Sequence, residues 1–156
     1  ARVDSRALLR HYVTAVAAIR DALPGATAVL RPHPADDRRP LELIGERFAG
    51  MAVEIDARPD LLAALGACDV CVAGASTATL QAPLAGTPLV VLNVTGVDWQ
   101  PPLGGATSVP VARSSEELVA WLRRWHAGEE LPGRDALLAA LGVDGGDPVE
   151  RLLELL

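Results

Sequence analysis

The chain has 156 residues, half of them hydrophobic, and a formal net charge of -6. That length suits one domain with a sizeable core. The acidic balance excludes general nucleic-acid binding, which needs basic patches against the phosphates, and no apolar run approaches the roughly 20 residues of a transmembrane helix.

With one Phe, one Tyr and three Trp, the core must be built of Leu, Val, Ala and Ile, the usual filling between helices and a parallel sheet. All 14 basic residues are Arg, a signature of a GC-rich bacterial genome rather than of a mechanism. Ala1-Arg2-Val3-Asp4 has neither an apolar signal-peptide core nor an initiator Met, which points to a cytoplasmic piece of a longer protein, near the inner membrane face only through other parts of it.

Leu8, Leu9, Tyr12, Val13, Val16 and Ile19 recur at helical spacing, and Pro24-Gly25 stops that helix. Residues 27–31 then read as a strand. Asp36 or Asp37 opens a predicted helix over 40–48, ended by Gly50, and a second strand follows at 51–55. Asp60 caps a short helix over 61–65, and 69–73 is the third strand. Ser76 or Thr77 starts a helix ending at Gly86, 88–94 is the fourth strand, and 108–112 a fifth. Strict alternation predicts an α/β fold, a doubly wound Rossmann-like parallel sheet of five to six strands with helices on both faces. One domain spans 1–156, with its sheet core in 27–112 and a helical tail over 113–156. Residues 97–107, rich in Gly and Pro, are expected to be the most flexible stretch. In the tail, Ser114 or Ser115 starts a helix through His126, and two shorter helical segments follow.

Two polar turns end strands: Arg31-Pro32-His33-Pro34, and Gly74-Ala75-Ser76-Thr77. In a parallel sheet such turns gather at the carboxyl edge, where ligands bind. Ser76, Thr77 and Thr79 offer hydroxyls at a helix start, where free N–H groups and the macrodipole favour an anion. The plainer reading makes Ser76 only an N-cap, but Gly74 and Ala75 leave room for a close backbone approach. His33, held between two prolines, can donate to a phosphate oxygen. Arg31, Arg38, Arg39 and Arg58 lie in or near these loops and supply local positive potential, although most arginines are solvated surface.

Other signals are weaker. Cys68 and Cys71 have C-x-x-C spacing but join a helix end to a strand start, the wrong place for a redox pair, and no second pair completes a zinc site. Asn93-Val94-Thr95 matches a glycosylation acceptor but closes a core strand. Trp121 and Trp125 form an apolar stripe with Leu118 and Leu122, read as core packing, and His126 as a helix-dipole partner. Walker A, G-x-G-x-x-G and His-Glu-x-x-His motifs are missing. No metal or cofactor is expected.

His33-Pro34, Asp69, Ser76-Thr77, Gln81-Ala82 and Gly86-Thr87-Pro88 together resemble the carboxyl-terminal half of GT-B-fold bacterial glycosyltransferases of the surface and capsule polysaccharide type. The resemblance covers roughly residues 27–96. It implies a nucleotide-diphosphate or nucleotide-monophosphate sugar as donor substrate, its pyrophosphate against residues 76–79, its base near 56–60 with Arg58 on its face, and its ribose near Gln81. It also implies that an amino-terminal domain of the same longer protein supplies the acceptor, so that the chain alone binds without turnover. The family usually has Glu where this chain has Gln81, and a carboxamide offers one acceptor oxygen where a carboxylate offers two. Two alternatives share the fold: half of a UDP-N-acetylglucosamine 2-epimerase-like enzyme, disfavoured by Ala75-Ser76-Thr77 in place of a Ser-Gly-Gly turn, and a non-catalytic nucleotide-binding or assembly module, favoured by Gln81.

Overall fold

The computed structural model describes residues 5–74, 76–96 and 109–142. Helix α1 (Ser5–Ala22) carries the predicted apolar stripe and stops where Gly25 takes a φ of +82°. Strand and helix then alternate: β1 (Thr27–Leu30), α2 (Arg39–Arg47), β2 (Ala52–Ile55), α3 (Leu61–Gly66), β3 (Cys71–Ala73), α4 (Thr77–Leu84) and β4 (Leu89–Leu92). The described part closes with β5 (Val111–Ala112), α5 (Ser115–His126) and α6 (Arg134–Ala140). Each expected strand within the described residues is present.

The fold is mixed α/β, and every strand pair is parallel. The single sheet of five to six strands is corrected: the five described strands form two sheets, β1-β2 and β3-β4-β5. Thr27 to Leu30 pair with Ala52 to Ile55 in the first, while Cys71 pairs with Leu89 and Val91 with Val111 in the second. Alternation of strand and helix sets direction and crossover but not which edges hydrogen-bond. Here β1 and β3 are joined by the side chains of α1 instead of a ladder.

Ala15, Ala18 and Ala22 of α1 pack with Val90 and Leu92 of β4 and with Leu118 and Leu122 of α5. Val16, on the same helix, packs with Ala28 and Leu30 of β1 and with Leu41 and Ile44 of α2. The other face of the larger sheet is covered by Leu65, Ala82 and Leu137, from α3, α4 and α6, against Ala73, Leu89 and Val91. β4 is therefore buried on both faces, as its wholly apolar sequence requires. β1 is buried on one face only, leaving Thr27 and Val29 exposed.

Local chemistry explains the helix starts. Asp60 Oδ1 accepts from Leu62 N at 2.9 Å, the expected cap of α3. Ser114 Oγ accepts from Glu117 N at 3.2 Å, while Glu117 Oε2 accepts from Arg113 N at 2.7 Å, a reciprocal arrangement close to a capping box. The start of α2 is corrected: Arg38 is its N-cap, and neither Asp36 nor Asp37 caps it. Pro40, pre-set for a first helical turn, accounts for the start. Trp121 and Trp125 lie half-buried against the α1–α5 core. The flexible stretch over 97–107, Trp99 within it, and the second tail segment fall outside the described residues. Among the described residues, no helix is long and apolar enough to cross a membrane.

Candidate functional site

The parallel direction brings three loops to one edge: those after β1, β2 and β3. The loop after β1 is pinned by its own polar groups. Asp36 Oδ2 accepts from His33 N at 2.9 Å and Asp37 Oδ1 accepts from Arg39 N at 3.0 Å, so the two aspartates shape the turn. His33 is exposed, and its Nδ1 accepts from Ala35 N at 3.2 Å. The neutral ring therefore carries its proton on Nε2 and presents a donor outward. Arg38 and Arg39 are exposed, with no ion pair among the described residues.

Arg31 and Arg58 are both held by Asp56. Arg31 Nη1 donates to Asp56 Oδ2 at 2.5 Å, and Arg58 Nε donates to Oδ1 at 2.7 Å. The carboxylate is buried, its side chain 5% exposed, against 27% for Arg31 and 44% for Arg58. Burial pushes this carboxyl up, but hydrogen bonds from the Arg58 side chain and backbone and from Arg31 outweigh it and hold Asp56 below the usual carboxylate range. Two guanidiniums and one carboxylate leave one net positive charge rather than two. The expectation that Arg58 is free to stack on a base meets this lock: its guanidinium is already oriented by Asp56. The β1–β2 register, with Leu30 opposite Ile55, sets residues 31 and 56 side by side. An Arg and an Asp just past paired strands are the signal that sequence reading missed.

Thr79, Ser76 and Thr77 divide by burial. Thr79 is fully buried, and its hydroxyl donates to Gly74 O at 2.5 Å, so it braces the turn instead of facing a ligand. Ser76 and Thr77 are exposed. Ser76 occupies the N-cap of α4 with extended backbone, φ -145° and ψ 167°, yet its hydroxyl makes no capping bond among the described residues. That separates it from Asp60 and Ser114, which hold the same position and do cap. The plainer reading of Ser76, a hydroxyl used up in capping, is not what the side chain does.

Gly74 has a different role from the one expected. A Cβ there would lie 3.3 Å from His11 Cε1, so the missing side chain admits the ring of His11 from α1. The close approach is made by protein, from 63 residues earlier in the sequence. Gln81 is half-buried in the second turn of α4.

Cys68 and Cys71 are both free and half-buried. Burial pushes the Cys68 thiol up and the Cys71 thiol up to about 12, away from the low values of a reactive thiolate. Cys68 Sγ donates to Ala64 O at 3.3 Å. Asn93 is 4% exposed, and its Oδ1 accepts from Thr95 Oγ1 and Gly96 N, so in the acceptor-like tripeptide the asparagine itself is buried and ties the turn that follows β4. Among the described residues, no group of three His, Cys, Asp or Glu side chains could hold a metal ion.

Two hollows lie elsewhere. One, of about 330 Å³, opens at the amino end of β4 beside Pro88, Trp125 and Leu131. The other, of about 390 Å³, lies between α1 and α2 over Leu9, Val13 and Ile44. Neither includes His33, Ser76 or Thr77. In comparisons with protein families, with curated proteins and with solved structures, nothing matches this chain.

Proposed function

We propose that the chain is the nucleotide-sugar donor-binding domain of a GT-B-type glycosyltransferase, presenting its donor to an acceptor held by a domain outside it. The observation that carries the reading is the start of α4, where Ser76 and Thr77 are exposed and the Ser76 hydroxyl caps nothing. The hydroxyls and first-turn N–H groups would bind the donor phosphates. His33 would donate its Nε2 proton from the loop after β1, and the base would lie against the backbone of Ala57 and Arg58. Gln81 would face the ribose. An edge that a second domain completes is a shallow surface until that domain closes. The doubly wound arrangement is part of this proposal.

Titration calorimetry with UDP, CMP, GDP and TDP sugars tests the reading. One of them should bind, and Ser76→Ala with Thr77→Ala should weaken it by about 2 kcal/mol, two hydrogen bonds to a charged acceptor being lost. Unchanged affinity in the double variant would remove the α4 assignment. A non-catalytic nucleotide-binding module is the second reading, favoured by Gln81 and by the lock that Asp56 places on Arg31 and Arg58.

A further inference from the structure

Two consecutive residues of α1 reach the carboxyl edge and touch both sheets there. Tyr12 donates its hydroxyl to Arg31 O at 2.9 Å, just past β1. His11 lies over Gly74, just past β3. From β1 the chain continues into α2 on one face, and from β3 into α4 on the other, so residues 11 and 12 stand where the connections diverge. That divergence is where open α/β sheets take their ligands.

Packing explains Tyr12 completely and His11 only in part. The Tyr12 hydroxyl has its partner. The His11 imidazole meets Tyr12 edge-on, with ring centroids 5.7 Å apart, but neither ring nitrogen has a hydrogen bond among the described residues. Nor is it sealed in, since no buried side-chain nitrogen or oxygen there lacks a partner. The ring is thus half-buried with its polar atoms reachable, and burial lowers its pKa, leaving it neutral at pH 7. A neutral imidazole has one N–H and one lone pair, and both remain unspent. A residue needed only to fill the space over Gly74 would have no use for them.

We infer that His11 is a ligand-contacting residue of the edge proposed above, donating its ring N–H to a phosphate oxygen of a nucleoside diphosphate seated at Ser76 and Thr77. The inference rests on that reading of the site. It makes α1 a third wall of the site, beside the loops after β1 and β3.

The test compares His11→Leu, which keeps volume without a donor, with His11→Gln, which keeps an N–H donor. The probe is whichever of UDP, CDP, GDP and TDP binds the native chain most tightly, with thermal melts run alongside. His11→Leu should weaken binding about tenfold, the loss of one hydrogen bond to a charged acceptor, and His11→Gln should restore most of it. If both variants bind like the native chain while Ser76→Ala with Thr77→Ala does not, the inference is overturned and the site reading stands. If none of the four binds the native chain, the inference is overturned, and if CMP fails to bind as well, the site reading falls with it. Should His11→Leu fail to fold, His11→Phe replaces it: the ring is kept without a donor, and unchanged affinity would overturn the inference equally.

Discussion

At the scale of single residues, the charge at the candidate site is set by a carboxylate. Asp56 holds Arg31 and Arg58 together, and its own ionisation is favoured by them. Because its pKa is lowered on folding, its contribution is present above the ordinary carboxylate value and is lost as pH falls through the lowered one. Asp56→Asn should cost about 1–3 kcal/mol, within the range for disrupting a partly buried ion pair, and should blunt the acid sensitivity of the melt. It should also tighten anion binding severalfold, since two arginines are released from one carboxylate. Calorimetric titration with pyrophosphate checks the second effect; weaker binding by the variant would show that Asp56 orients the arginines for the ligand. Sequence reading placed Arg31 and Arg58 just past strand ends but could not see the lock, because ion pairing across 25 residues depends on the β1–β2 register. It read Gly74 as room for a ligand for the same reason: the ring that fills the space comes from a helix distant in sequence.

At the scale of elements, three helix starts show one position used in two ways. Asp60 and Ser114 cap α3 and α5 through their side chains, whereas Ser76 at the start of α4 does not. Ser114→Ala should therefore destabilise the protein by about 1 kcal/mol, the ordinary cost of a lost N-cap. Ser76→Ala should leave the urea midpoint close to native. Equal losses in the two variants would mean that the Ser76 hydroxyl serves the helix after all. The elements themselves were legible because local signals bound them. Pro24-Gly25 ends α1, Asp60 announces α3, and the apolar run of β4 marks a strand buried on both faces, whereas the start of α2 was read from the wrong residues. The split into two sheets was not legible, since it depends on which strand edges meet and not on the strand sequences.

For the whole molecule, the split raises the question of what makes the two sheets one folding unit. α1 answers it by turning neighbouring residues to different partners: Ala15 and Ala18 to the core with α5 and β4, and Val16 to the core with α2 and β1. Losing either sheet strips one side of the same helix, so both should unfold in one cooperative transition. Ile44→Ala probes this from the first sheet, where Ile44 is 2% exposed; the cavity should cost about 3 kcal/mol. Trp121 and Trp125, packed on the other core, report from the far side. With Trp99→Phe as background, urea unfolding followed by tryptophan emission should shift to lower midpoint in Ile44→Ala by the same free energy as unfolding followed by far-ultraviolet circular dichroism. If the emission transition stays in place while dichroism shows an early partial loss, the sheets melt separately. A ligand spanning His33 and Ser76 would then join two independently moving parts, and its binding would restore a single transition by stabilising the closed arrangement.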